Sequence, residues 1–255
     1  MSDHIEVRRE GSRLEIFMNR PDKKNALTGA MYIAMAEALA EAEADPAILS
    51  VIIGAHGSAF CAGNDLVDFQ MNPPKGSDSP VSRFLTAIST SSKVVIAAVQ
   101  GVAVGVGATM LLHCDHVVIA EDASLQFAFV KMALVPEAAS SLLLPRAVGP
   151  LKAAELMLTS VPLPGREAAE LGLVSRVVPT GDQVVEARAF AERLDGSPPE
   201  ALRATKRLLR SDVTGVAERM AEEGALFRRQ LGSPEFAEAV RAFMEKRTPV
   251  FTTAS

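Results

Sequence analysis

The chain has 255 residues, 48% apolar and 22% charged, enough to bury a large core in one domain, or in one domain with a small appendage. Its 26 basic and 31 acidic residues give a formal charge of −5, which argues against nucleic acid as the main partner. Two cysteines, Cys61 and Cys114, make no disulfide framework and favour a reducing compartment, and the charged residues 1–10 lack the apolar run of a secretory signal.

In chain order, Ile5, Glu6 and Val7 and then residues 14–18 flank a Glu10-Gly11-Ser12 turn and read as an antiparallel hairpin. Thr28 can cap a helix whose apolar positions Met31, Met35, Ala38 and Ala42 run up to Asp45-Pro46. Residues 48–53 read as a buried β-branched strand, followed by a Gly-, Ser-, Asn- and Pro-rich loop to about Pro80. Residues 94–112 are long and apolar enough to suggest a membrane span, but Gln100, Gly101, Gly105, Gly107 and Thr109 interrupt them. They read better as a strand (94–99), a glycine-rich turn and a helix (105–113), with a further strand at 117–119. Beyond residue 145 the pattern becomes helical. Leu151, Ala154 and Leu158 share a face, residues 166–171 stop at Gly172, and 174–178 form a short strand. Helices follow at 198–209, 213–231 and 233–247, the last with Ser233 as N-cap, Pro234 at its first turn, and Phe236, Val240 and Phe243 in one stripe. An α/β core over residues 1–195 is thus followed by a helical region, 196–255, whose stripes need the core or another subunit to cover them.

The turn at 100–109 is the most informative segment. Glycines let a ligand or backbone approach closely, and the first amides of the next helix lack internal partners. Three readings stay open there: tight packing alone, an anion or oxyanion site, or a dinucleotide site. The last is weakened by Met110, which stands where a third glycine belongs, and by an early Glu121-Asp122 pair. A second loop, Ala59-Phe60-Cys61-Ala62-Gly63-Asn64-Asp65-Leu66, says little alone.

Together these two segments resemble the crotonase (enoyl-CoA hydratase/isomerase) superfamily. Supporting segments are Arg20-Pro21-Asp22-Lys23-Lys24-Asn25-Ala26-Leu27, the run from Lys93 to Gly101, Cys114-Asp115, Arg146-Ala147-Val148-Gly149, and Ala168 with Gly172-Leu173-Val174. The resemblance covers nearly the whole chain. It implies a spiral of β-β-α units with a C-terminal helical region that packs trimers, often paired into hexamers. It also implies that the backbone N–H groups of Asn64 and Val106 form an oxyanion hole for a thioester carbonyl. The substrate would be an acyl-CoA, held along Ala62, Gly63, Asn64, Asp65, Leu66 and Gly105. No cofactor beyond the coenzyme A of the substrate is expected. Lys24, with Lys23 and Arg20, could meet its phosphates or form a solvated loop.

The two glutamates usual in hydratases of this family are missing, since Thr109 stands at the first position and residues 127–131 hold no carboxylate. The segment Pro136-Glu137-Ala138-Ala139-Ser140-Ser141 instead resembles the Δ3-Δ2-enoyl-CoA isomerase branch, which makes Glu137 the expected catalytic base. A pocket beside Leu134, Val135 and Leu142 should raise its pKa. The expected activity is a shift of the double bond of a 3-enoyl-CoA to the 2-position. A hydratase in which Glu137 works alone, and a catalytically silent acyl-CoA-binding oligomer, are the other readings. Thr109 reads as a packed helix residue, and Asp65 as a possible turn cap. His113-Cys114-Asp115-His116 cannot converge on a metal, because adjacent side chains diverge, and Ser140 and Ser141 lack a triad context. Thr252-Thr253-Ala254-Ser255 is not a peroxisomal address, so a cytoplasmic setting is expected.

Overall fold

The computed structural model describes residues 2–74, 76, 78–210 and 215–251. The hairpin forms as β1 (Ile5–Glu10) and β2 (Arg13–Met18), and Thr28 caps α1 (Gly29–Ala44) by accepting the Met31 amide. Then come β3 (Ser50–Ala55), α2 (Leu66–Met71), α3 (Pro80–Thr90), β4 (Val94–Val99) and β5 (Val102–Val104). The middle of the chain holds α4 (Val106–Thr109), β6 (His116–Ala120), β7 (Ser124–Gln126), α5 (Ser140–Val148), α6 (Pro150–Thr159) and β8 (Leu163–Pro164). It ends with α7 (Gly165–Glu170), β9 (Arg176–Val178), α8 (Gln183–Glu192), α9 (Pro199–Leu209), α10 (Val216–Leu231) and α11 (Pro234–Met244).

The main sheet has the order β1-β2-β3-β4-β6-β9, and a second sheet has the order β5-β7-β8. Only β1 is antiparallel in the main sheet, so its inner strands are covered on both faces. Alternation along those strands divides the core. Val51, Ile53, Val95 and Ala97 join the larger cluster with α1, while Ile52, Ile96, Ala98 and Val118 face Ala187 and Ala191 of α8. Residues 94–112 are β4, β5, α4 and a 3-10 turn, and among the described residues no helix is long and apolar enough to cross a membrane.

Several sequence expectations need correction. The strand expected from residue 48 starts at Ser50, and the loop to Pro80 contains α2, capped by Asp65. The helix expected over 105–113 is α4 followed by a 3-10 turn, Met110–His113, with Gly105 outside it as N-cap. The strand expected from 174 begins at Arg176. Of the helix expected from 213, residues 213 and 214 lie outside the described set, as do 252–255. The Leu151–Leu158 face of α6 points outward, at 87% and 68% exposure. Phe243 leaves the stripe that buries Phe236 and Val240, and is 62% exposed. A helical repeat shows which side is apolar; what covers it is a tertiary matter. Among the C-terminal helices, α10 reaches the main core through Phe227, which meets Phe69 edge-to-face at 6.2 Å.

Candidate active site

The two glycine loops lie directly against each other. The Cys61 amide donates to Val102 O at 3.1 Å, and the Val104 amide to Cys61 O at 2.8 Å. A Cβ on Gly107 would sit 2.6 Å from Cys61 O, and one on Gly63 would sit 3.3 Å from Val104 O. Gly63 has φ +97°, and Gly105 has φ 55° and ψ −119°, a conformation closed to residues with a Cβ. The 61–65 loop is held from its other side: Ala62 N–H donates to Lys24 O, Leu27 N–H to Gly63 O, and Asp65 N–H to Leu27 O, at 2.8–3.0 Å. Among the described residues, the amides of Asn64 and Val106 have no protein acceptor.

The Arg20-to-Leu27 segment braces this loop. Asn25, fully buried, accepts the Arg20 amide and donates to His56 O and Ala59 O. Arg20 is ion-paired to Asp65 at 2.7 Å, so its guanidinium is engaged within the protein. Burial pushes the Asp65 carboxyl up, but hydrogen bonds from the Asp68 amide, Arg20 and the Val67 amide outweigh it and hold the pKa below the ordinary value. Asp65, expected among substrate contacts, is therefore a helix cap and ion-pair partner. Lys24 is exposed, and its carbonyl touches the loop at Ala62. Ala62, Asn64, Leu66 and Gly105 are partly exposed along the same edge.

Glu137, 6% exposed, is joined to the second loop through Thr109. The Thr109 hydroxyl, one turn beyond Val106, lies 3.5 Å from Val106 O and donates to Glu137 Oε1 at 3.3 Å. Burial, then the negative charge of Glu223, raise the Glu137 pKa to about 7, while Thr109 opposes the rise. The apolar wall differs from the expected Leu134, Val135 and Leu142. Glu137 opens into a cavity of about 420 Å³ walled by Phe69 of α2, Leu85 of α3, and Met220 and Phe227 of α10. Among the described residues lining it, Glu137 is the one carboxylate.

Three contributors were not foreseen. Tyr32, fully buried on α1, donates to Asn64 Oδ1 at 2.6 Å, and burial followed by the Glu137 charge pushes its phenol well above the ordinary value. It is the only tyrosine in the chain, and a phenol on a buried helical face needs a partner, which was the available signal. His113 hydrogen-bonds through Nε2 to Ala138 O at 2.8 Å, and burial lowers its pKa to about 4, so it is neutral. Glu223, 4% exposed, reaches the backbone just after Glu137. The remaining residues of the 113–116 run have separate partners. Asp115 binds Lys206 and Arg210, and His116 stacks on Phe190.

A six-stranded and a three-stranded sheet, two packed glycine turns, and a buried acid at an apolar cavity define a crotonase-like α/β fold. A solved enoyl-CoA hydratase/isomerase from Pseudoalteromonas atlantica T6c superposes with a TM-score of 0.92 at 42% identity, covering 98% of this chain and all of that one. A family model described as enoyl-CoA hydratase/isomerase matches residues 8–254, and the chain belongs to that family. Relatives include a putative enoyl-CoA hydratase of Thermus thermophilus, 37% identical over 92% of this chain and 96% of its own. Another is the 1,2-epoxyphenylacetyl-CoA isomerase of Escherichia coli, 32% identical over 94% of each chain.

Proposed function

We propose that the protein is a Δ3-Δ2-enoyl-CoA isomerase in which Glu137 is the acid–base residue. The observation that carries this reading is that, among the described residues, Glu137 is the one carboxylate at the wall of an apolar cavity, and it is buried. Glu137 removes a proton from C2 of a 3-enoyl-CoA. The electrons delocalise into a dienolate whose oxygen accepts hydrogen bonds from the Asn64 and Val106 amides. Glu137 returns the proton to C4 as the double bond settles between C2 and C3. No water enters and no cofactor is needed beyond the coenzyme A of the substrate. A pKa near 7 suits a group that must both take and give the proton. Ala62, Gly63, Leu66 and Gly105 border the thioester, and exposed Lys24 is placed to meet coenzyme A phosphate.

A hydratase is the second reading, favoured by the name of the Thermus thermophilus relative. Against it, the side chain at the first hydratase position is Thr109, which hydrogen-bonds to Glu137. Product analysis on a 3-enoyl-CoA and a 2-enoyl-CoA separates the readings. The isomerase converts the first without forming 3-hydroxyacyl-CoA, and Glu137→Gln lowers that rate at least about a hundredfold. Rapid hydration of the 2-enoyl-CoA would make it a hydratase. Thioester binding without turnover of either would leave an acyl-CoA-binding protein.

We also propose self-association as a trimer or a dimer of trimers, through residues 196–255 together with the exposed leucines of α6. Light scattering on the purified protein tests this, and a monomer at all concentrations would refute it.

A further inference from the structure

The turn after Glu137 is unusual. Ala138 and Ala139 both have left-handed backbones, with φ of 60° and 53°. Residues with a Cβ avoid that region, so two in succession need outside support. The support comes from three sides. Ser140 N–H closes back on Glu137 O at 3.0 Å. His113 holds Ala138 O from one side of the turn. From the other, Glu223 Oε2 accepts Ala139 N–H at 2.7 Å, while its Oε1 accepts Ser141 N–H at 2.9 Å and the Ser141 hydroxyl at 2.6 Å.

Resting on the reading of Glu137 as base, we propose that Glu223 is a positioning residue that fixes the turn after Glu137. Both of its oxygens are filled by turn donors, and it does not line the cavity, so it does not touch substrate. It sits on α10, whose Met220, Ala221, Gly224 and Phe227 do line the cavity. The helix that closes the acyl side is thereby the helix that anchors the acid. Seating α10 and aligning Glu137 become one event.

The charged and titratable groups around the pair are few. Glu137 faces Glu223 from α10, the Thr109 hydroxyl from α4, Tyr32 from α1, and the Cys61 thiol. Burial keeps both Tyr32 and Cys61 neutral, the thiol being pushed up to about 12. Glu223 faces the Ser141 donors, Glu137 and Arg219 of its own helix. His113 is neutral. Burial raises the Glu223 pKa, while the hydrogen bonds from Ser141 and Ala139 and the charge of Arg219 favour its ionised form, and that form is the negative charge acting on Glu137. A negative charge nearby raises a carboxyl pKa, so removing it moves Glu137 ionisation to lower pH.

The experiment compares wild type, Glu223→Gln, Ser141→Ala and Glu137→Gln in kcat, KM and pH profile, with circular dichroism to establish folding. For Glu223→Gln the expected result is a kcat lowered about tenfold or more, because a small misplacement of a reacting group is costly. KM should be little changed, and the acid limb of kcat/KM should move to lower pH. Ser141→Ala removes one of the donors that tie Glu223 to the turn and should lower kcat by less. It serves if Glu223→Gln does not fold. Carbon-13 carboxyl titration of Glu137 in the same proteins reads the ionisation without catalysis. A folded Glu223→Gln protein with wild-type kcat, acid limb and Glu137 titration would overturn the proposal, as would a wild-type kcat in Ser141→Ala. Full activity in Glu137→Gln would instead overturn the reading of Glu137 as base, whatever the carboxyl titration shows.

Discussion

The two walls of the site are built by different means. The amide wall, Asn64 and Val106, is fixed mainly by main chain: paired loop backbones, and glycines whose missing Cβ atoms let the loops touch. The acid wall is fixed by side chains from distant parts of the chain. Thr109, His113 and Glu223 converge on Glu137 and its turn from 28, 25 and 84 residues away, counted to Glu137, Ala138 and Ala139 respectively. Backbone placement leaves little to tune, which suits donors that must wait in position for an oxyanion. Side-chain placement sets a pKa, and that can be tuned one substitution at a time.

The sharpest break of this contrast is Gly107→Ala. The new Cβ would lie 2.6 Å from Cys61 O and 2.8 Å from Cys61 Cβ, so one loop must leave the other. Losing a single oxyanion donor lowers kcat roughly 10²- to 10³-fold, and a comparable loss is expected here with some loss of stability. Gly172→Ala is the control. It has φ +81° but open space, so it should cost stability through backbone strain and leave kcat unchanged. Equal kcat losses in the two proteins would mean that loop contact is not what holds the amide wall.

On the acid wall, the next largest effect is thermodynamic. Glu137 has an ordinary pKa of 4.5 and a folded value of about 7. Below the ordinary value the acid is protonated folded or unfolded and costs nothing. As pH rises from there, the unfolded chain ionises first, so the native state loses relative stability until the folded pKa is passed. At about 1.4 kcal/mol per tenfold change in proton affinity, the loss above neutral pH is on the order of 3 kcal/mol. Glu137→Gln should therefore be more stable than wild type in urea above neutral pH, with the gain vanishing toward acid. A gain independent of pH would show that Glu137 is not held protonated by burial.

The same contrast explains what could be read from the sequence. The hairpin, the buried strand leading into Gln100-Gly101, the glycine loops and the Thr28 and Ser233 caps are local devices, each visible within a few residues. Gly101 illustrates why: a Cβ there would sit 2.0 Å from Ser58 O, so the close approach of two segments is recorded as a missing side chain. The raised Glu137 pKa was legible as a sign, from its apolar surroundings, but its neighbours were not. They belong to α2, α3 and α10, elements joined to Glu137 only by the fold. Glu223 stands in an Ala-Glu-Glu-Gly run that reads as the polar face of an amphipathic helix, and nothing local marks which glutamate turns inward. The exposed leucines of α6 fail similarly: periodicity identified the face without its partner.

A smaller effect tests the side chain that hydrogen-bonds to Asn64. Tyr32→Phe removes the 2.6 Å hydrogen bond to Asn64 Oδ1 and leaves the backbone ties of the loop intact. If main chain fixes the amides, the cost is that of one hydrogen bond, about 1 kcal/mol of stability, with kcat lowered only a few-fold. A loss as large as that of Gly107→Ala would place the amide wall under side-chain control, against the contrast drawn above.

The smallest effect bears on the acid wall and has the sign opposite to that expected for Glu223→Gln. Thr109 donates to Glu137 Oε1, and a donor to a carboxylate favours its charged form. Thr109→Val keeps the branched shape, packed among Val106, Ala108 and Met110, and removes only the hydroxyl. Glu137 then loses the hydrogen bond that lowers its pKa, and its ionisation moves to higher pH. The acid limb of kcat/KM should follow, with kcat on the alkaline plateau lowered only slightly because the turn after Glu137 is untouched. If both Thr109→Val and Glu223→Gln moved the limb the same way, general loosening of the site would explain both. Opposite movements require that hydrogen bond and charge act on Glu137 separately, as their positions on α4 and α10 imply.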